Sequence, residues 1–230
     1  VKASLKSPRK LIVYSKPKTG KTSALAQIPN SLILDFDNGT DFVDAVKYKI
    51  DSLGTLKEVG NQILKEGKPY QTGIVDTVTK LEDMCIPYAL KIYQETPMGK
   101  SFNGNVLTLP KGAGYYYLRM AVDKMTTYIE SLFERIIYSG HLKGNFIEKN
   151  NKEVVSAELD LIGKQKGMLC ADVDAIGLMY RDGDRNILSF KTSEEIICGA
   201  RPEHLSNQEI VISEENDGKI TTYWDRIYID

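Results

Sequence analysis

Cysteine is scarce in this chain of 230 residues: Cys85, Cys170 and Cys198 are odd in number, widely separated and outside any C-x-x-C spacing. That excludes a disulfide framework and a cysteine-based zinc site, and it leaves three reduced, buried or half-buried thiols. No apolar run approaches the roughly eighteen residues of a membrane span, and the opening V-K-A-S-L-K-S-P-R-K has no apolar signal core. The sequence therefore predicts no membrane association and a cytoplasmic setting. Neither charge is in excess: 30 Lys and Arg against 31 Asp and Glu give a net charge of −1, so nucleic acid is not bound by bulk charge and any such contact has to be local. Internal repeats and low-complexity linkers are also missing. The length suits one α/β domain over residues 1–230, preceded at 1–9 by a basic N-terminal arm carrying Lys2, Lys6 and Arg9.

What is present begins at residues 11–22, L-I-V-Y-S-K-P-K-T-G-K-T. An apolar strand runs into a phosphate-binding loop of the pattern G-x-x-x-x-G-K-[ST], with Ser15 at the first glycine position and Gly20, Lys21 and Thr22 at the last three. The chemistry explains the residue types. Gly20 lets backbone N–H groups close around phosphate oxygens, Lys21 reaches the β- and γ-phosphates, and the Thr22 hydroxyl joins a Mg²⁺ shell. The nucleotide-binding segment is thus Ser15, Lys16, Pro17, Lys18, Thr19, Gly20, Lys21, Thr22 and Ser23, with a helix beginning near Lys21 and reading on through residues 23–28 adding its positive end. Ser15 is expected to carry some φ/ψ strain where glycine usually stands.

Further strands are predicted at residues 31–37, 71–76 and 136–141, each ending in polar chemistry: Asp35 and Asp37, Asp76, and His141. Helices are expected over 56–65, 78–93 and 115–135. Residues 94–114 and 142–169 read as long irregular stretches, and hairpins are expected at 175–190, turning at Asp182-Gly183, and around Asn216-Asp217-Gly218. Alternating strands and helices imply a mainly parallel sheet, whose ligands sit at the carboxyl ends of the strands. On that edge Asp76 places Mg²⁺ through water, with Thr22 in the metal's shell, Asp37 positions an attacking water and His141 reads the phosphate state. Plainer roles compete: Asp76 as a helix cap, Asp35 in place of Asp37, and His141 as a structural histidine.

The loop, I-L-D-F-D-N-G, T-G-I-V-D-T-V-T-K-L and I-I-Y-S-G-H-L-K follow one another as in the RecA-like ATPases. Over roughly residues 10–200 the chain resembles that family, most of all the small core-only RecA-like proteins of bacteriophages that act in single-strand annealing and recombination. The resemblance implies a P-loop NTPase with a RecA-like core: a mainly parallel central sheet flanked by helices, with C-terminal antiparallel hairpin strands. It also implies a Mg²⁺-dependent, DNA-stimulated ATPase in the cytoplasm of a bacterial host, forming a ring or filament on single-stranded DNA beside a single-stranded-DNA-binding protein. In these terms Asp37 stands for a water-activating acid that is more usually Glu, and His141 for the sensor, commonly Gln or His. The two irregular stretches become DNA-binding loops at 95–114, with Lys100, Phe102, Asn103, Lys111 and Tyr115, and at 143–168, with Lys143, Lys149, Lys152, Lys164 and Lys166. Lys191 and Arg201 become residues that complete a neighbouring subunit's site. The alternatives are a P-loop nucleotide kinase or partition-type switch, against which the few scattered arginines speak, and a nucleotide-stabilised scaffold with little turnover.

Overall fold

The computed structural model describes residues 6–149 and 152–229, with the side chains of 145–149 and 152–155 left outside the description. In chain order the elements are β1 (Lys10–Ser15), α1 (Lys21–Leu25), β2 (Ser31–Asp35), β3 (Lys47–Lys49), α2 (Leu53–Lys65), β4 (Thr72–Asp76) and α3 (Val78–Gln94). Two 3₁₀ turns, Val106–Thr108 and Pro110–Gly112, lead into α4 (Ala113–Glu130). After it come β5 (Arg135–Lys149), β6 (Lys152–Leu159), α5 (Gln165–Asp172), β7 (Ala175–Asp182), β8 (Arg185–Ser189), β9 (Gly199–Ala200), β10 (Glu209–Asn216), β11 (Lys219–Thr222) and a last 3₁₀ turn, Trp224–Arg226.

The sheet runs β11-β10-β8-β7-β1-β5-β4-β2-β3. Its centre, from β7 through β1, β5, β4 and β2 to β3, is parallel, whereas β8, β10 and β11 continue it antiparallel. Strand β5 therefore separates the loop strand β1 from β4, in register Ile12 with Tyr138 on one side and Val75 with Tyr138 on the other. Continuous apolar runs form the central strands because both faces are covered. Ile12, Tyr14, Leu34, Val75 and Tyr138 join the core under α2, α3 and α4. Their neighbours Leu11, Val13, Ile33, Ile74 and Ile137 face α1 and the C-terminal segment, including Trp224 and Ile227. Trp224 Nε1–H donates to the Ala24 carbonyl (2.9 Å), so the chain's last turn closes over the first helix.

Several boundaries depart from the sequence reading. Residues 142–169 are not an irregular loop: β5 continues to Lys149 and pairs antiparallel with β6 as a ribbon, and α5 follows. The charges interspersed through 142–159 hid the alternation that would have announced this pairing. Of the stretch 94–114, the part from Ala113 belongs to α4, which ends at Glu130. Helix α1 starts at Lys21 and is five residues long, ending at Leu25 where the sequence extended it to 28. The basic arm is held where it is described: Ser7 is buried and its Oγ accepts from Ile229 N–H (2.9 Å), and Arg9 N–H donates to Asp174. Its residues 1–5, Lys2 among them, lie outside the described residues.

Candidate nucleotide site

Strand β1 ends on Ser15, which pairs in register with His141 of β5, while Asp35 of β2 pairs with Asp76 of β4. Parallel register thus delivers the loop, the acids and the histidine to one edge of the sheet. At that edge Ser15 keeps ordinary strand geometry, and the expected strain is elsewhere: Lys18 and Gly20 take the positive φ, 66° and 85°. A glycine is therefore needed at 20 and not at 15. The fully buried Ser15 hydroxyl instead accepts from Thr19 Oγ1 (2.7 Å) and ties the two ends of the loop together.

Lys21 points inward and is 8% exposed. Its ammonium donates to Ser139 Oγ (2.6 Å), Ser139 donates to Asp76 Oδ1 (2.6 Å), and Thr22 Oγ1 donates to Asp76 Oδ2 (2.8 Å). Lys21 Nζ stands 3.6 Å from Asp76 Oδ1. Burial pulls the Lys21 pKa below the usual lysine value, with the Asp76 and Asp37 carboxylates opposing the shift. Helix α3 is capped by Thr77, whose hydroxyl accepts from Lys80 N–H, so Asp76 is not spent on capping.

The two acids after β2 have separate surroundings. Asp35 is 1% exposed and accepts from the N–H groups of Asp37, Gly39 and Thr40 and from the Thr40 hydroxyl, which consumes it in shaping the turn. Asp37 is one-third exposed, with Oδ2 3.5 Å from His141 Nε2. His141 Nδ1 is buried without a hydrogen-bond partner among the described residues. Two residues beyond, Lys143 lies 3.4 Å from Asp160, whose N–H returns to the His141 carbonyl.

Sequence reasoning missed two members of this neighbourhood. Ser139 lies inside I-I-Y-S-G-H-L-K, but only the histidine of that stretch was given a role. Asn186 on β8 faces Gly20, where an added Cβ would meet its Nδ2 at 3.7 Å; it donates to Ser213 Oγ, and its Oδ1 is buried and unpartnered among the described residues. Both are placed by strand register, which no local pattern announces.

The remaining predicted residues scatter. Lys191 pairs with Glu209 and Arg201 with Asp174 at 3.2 Å, so each is engaged within its own chain. Phe102 is half-buried and packs edge-on against Tyr93 (5.5 Å between centroids), turned from any stacking role toward the core. Lys100, Asn103, Lys111, Tyr115 and Lys164 are exposed, and Lys166 is bonded to Glu158. The side chains of Lys149 and Lys152 lie outside the described residues. A groove of about 870 Å³ between α2, α3 and α4, lined by Leu56, Met84, Tyr88 and Met125, contains none of the groups at the sheet edge.

The donor set suits Mg²⁺ with a nucleotide. Among the described residues no group of three His, Cys, Asp or Glu forms a cation cage. Mg²⁺ typically takes one or two protein oxygens and completes its shell with phosphate and water, and Thr22 with Asp76 offers such a pair. Among the described residues no helix is long and apolar enough to cross a membrane.

The family model for the AAA domain matches residues 7–201. Among curated proteins no sequence match is found. A solved RadB recombinase superposes with a TM-score of 0.48 at 9% identity over 94% of this chain and 92% of its own. A KaiC-like protein of the hyperthermophilic archaeon Pyrococcus horikoshii does so at 0.46 and 10% identity, covering 94% of this chain and 89% of its own.

Proposed function

Since the chain belongs to the AAA domain family, we propose that it is a Mg²⁺-dependent ATPase that assembles on single-stranded DNA and promotes annealing or strand pairing. The chain is a P-loop ATPase with a RecA-like core; the metal, the DNA and the assembly are the finer parts of the reading. The observation that carries it is the convergence of Lys21, Thr22, Asp76, Asp37 and His141 on one sheet edge. Lys21 would donate to the phosphates, and Thr22 and Asp76 would hold Mg²⁺, which would supply neutralisation of the phosphate charge. Asp37 orients a water and accepts its proton, with His141 alongside as the group that senses the phosphate. Because the supply of charge and position accounts for most of phosphoryl-transfer catalysis, this set suffices without a covalent step.

Support for DNA comes from continuity: the strand that carries His141 runs on without a break into the β5–β6 ribbon, the second of the two regions that the family resemblance assigns to DNA. A near-neutral monomer makes few phosphate contacts, and assembly along a strand multiplies them. Lys191 and Arg201 remain candidates for completing a neighbour's site. The test is steady-state ATP turnover with Mg²⁺, with and without single-stranded DNA, across a salt series. DNA should raise the rate, and the DNA concentration needed should climb with salt. Transfer to a nucleotide acceptor would make the protein a kinase, and binding without turnover would make it a scaffold; either overturns the proposal.

A further inference from the structure

We propose that Ser139 is a positioning residue that keeps Lys21 and Asp76 from closing into a contact ion pair, and so keeps both available to the nucleotide. The inference rests on the nucleotide reading above. An ammonium can only donate, so the proton order is fixed: Lys21 Nζ gives to Ser139 Oγ at 2.6 Å, and the serine's own proton goes to Asp76 Oδ1 at 2.6 Å. Thr22 fills the other carboxylate oxygen at 2.8 Å. Each oxygen of Asp76 thus faces a neutral hydroxyl, and the ammonium is held at 3.6 Å, outside the 2.7–2.9 Å of a charge-assisted hydrogen bond.

All of this occurs where solvent cannot intervene, since Ser139 is fully buried and Asp76 is 2% exposed. Without the hydroxyl, the ammonium loses its acceptor, and Asp76 is the anion beside it. A direct pair would form and would have to be broken before phosphate or Mg²⁺ could use either group, because in a poorly hydrated site a contact pair is a strong competitor. Ser139 can do this because β5 lies between β1, whose loop leads to Lys21 at the start of α1, and β4, which ends on Asp76, with Ser139 level with Val13 and with Asp76.

The experiment titrates a fluorescent ATP analogue into wild type, Ser139→Ala and Ser139→Thr, in EDTA and again in Mg²⁺, and measures thermal unfolding of each without nucleotide. Ser139→Ala should unfold at or above the wild-type temperature yet bind about tenfold more weakly in both buffers, whereas Ser139→Thr, which keeps the hydroxyl, should bind within about threefold of wild type. Wild-type affinity in Ser139→Ala overturns the proposal while leaving nucleotide binding intact. Weaker binding with a lowered unfolding temperature that Thr does not restore makes Ser139 merely structural and also overturns it. A wild-type protein that binds no nucleotide overturns the underlying reading and this inference with it.

Discussion

Asp35 and Asp37 are two residues apart, leave the same strand end and have opposite surroundings. Asp35 is saturated by three backbone N–H groups and a hydroxyl, while Asp37 keeps an open carboxylate against His141. Replacing each tells the roles apart. Asp37→Asn should keep nucleotide affinity and lose about 10²-fold or more in turnover, read as phosphate release against nucleotide titration. Asp35→Asn, which leaves buried N–H groups poorly paired, should lower stability by about 1–3 kcal/mol in denaturant unfolding. The sequence allowed both acids and favoured Asp37; the N–H groups that consume Asp35 come from a turn it could not specify. At Ser15 the expectation of strain failed because substitution at the first motif position was judged by analogy with glycine, whereas the backbone needs left-handed geometry only at Lys18 and Gly20.

Helix α3 links the site to the ribbon. It starts directly after Asp76 and Thr77, and one turn on Thr79 donates to the Asp160 carbonyl (2.8 Å) while Glu82 accepts from Ile162 N–H (2.9 Å). Glu82 is 1% exposed, and burial raises its pKa from 4.5 to about 7, helped by the Asp83 and Asp160 carboxylates and opposed by the Ile162 N–H. A raised acid pKa favours the protonated form in the fold, so its contribution is complete below about pH 4.5 and is lost as pH rises through about 7. The shift corresponds to about 3 kcal/mol. Glu82→Gln, which retains an acceptor for Ile162, should therefore unfold at a higher temperature than wild type at pH 8, with the gap narrowing by pH 5. Elements of this kind were partly legible. Strong apolar runs located β1, β2 and β4, and Asp182-Gly183 located the β7–β8 hairpin; the ribbon was lost among its charges, and β3, the three residues Lys47-Tyr48-Lys49, gave no period to detect.

Across the whole molecule the decisive fact is strand order, which places β5 between β1, the strand leading to Lys21, and β4, the strand of Asp76, and makes one edge out of segments 120 residues apart, from Lys21 to His141. Alternation of strands and helices foretold a mainly parallel sheet but does not fix which strands touch, so Ser139 was given no role and Asn186 stayed invisible. The C-terminal closure over α1 by Trp224 was equally out of reach, since a single tryptophan after a hairpin has no local signature. Every role proposed at this edge depends on Lys21 acting on a nucleotide phosphate. That action is tested most directly by phosphate release from ATP and Mg²⁺ in wild type and Lys21→Ala measured side by side. Wild type should turn over and the variant should lose at least about 10²-fold, with folding retained. Equal rates in the two proteins, or no turnover in either, would contradict it.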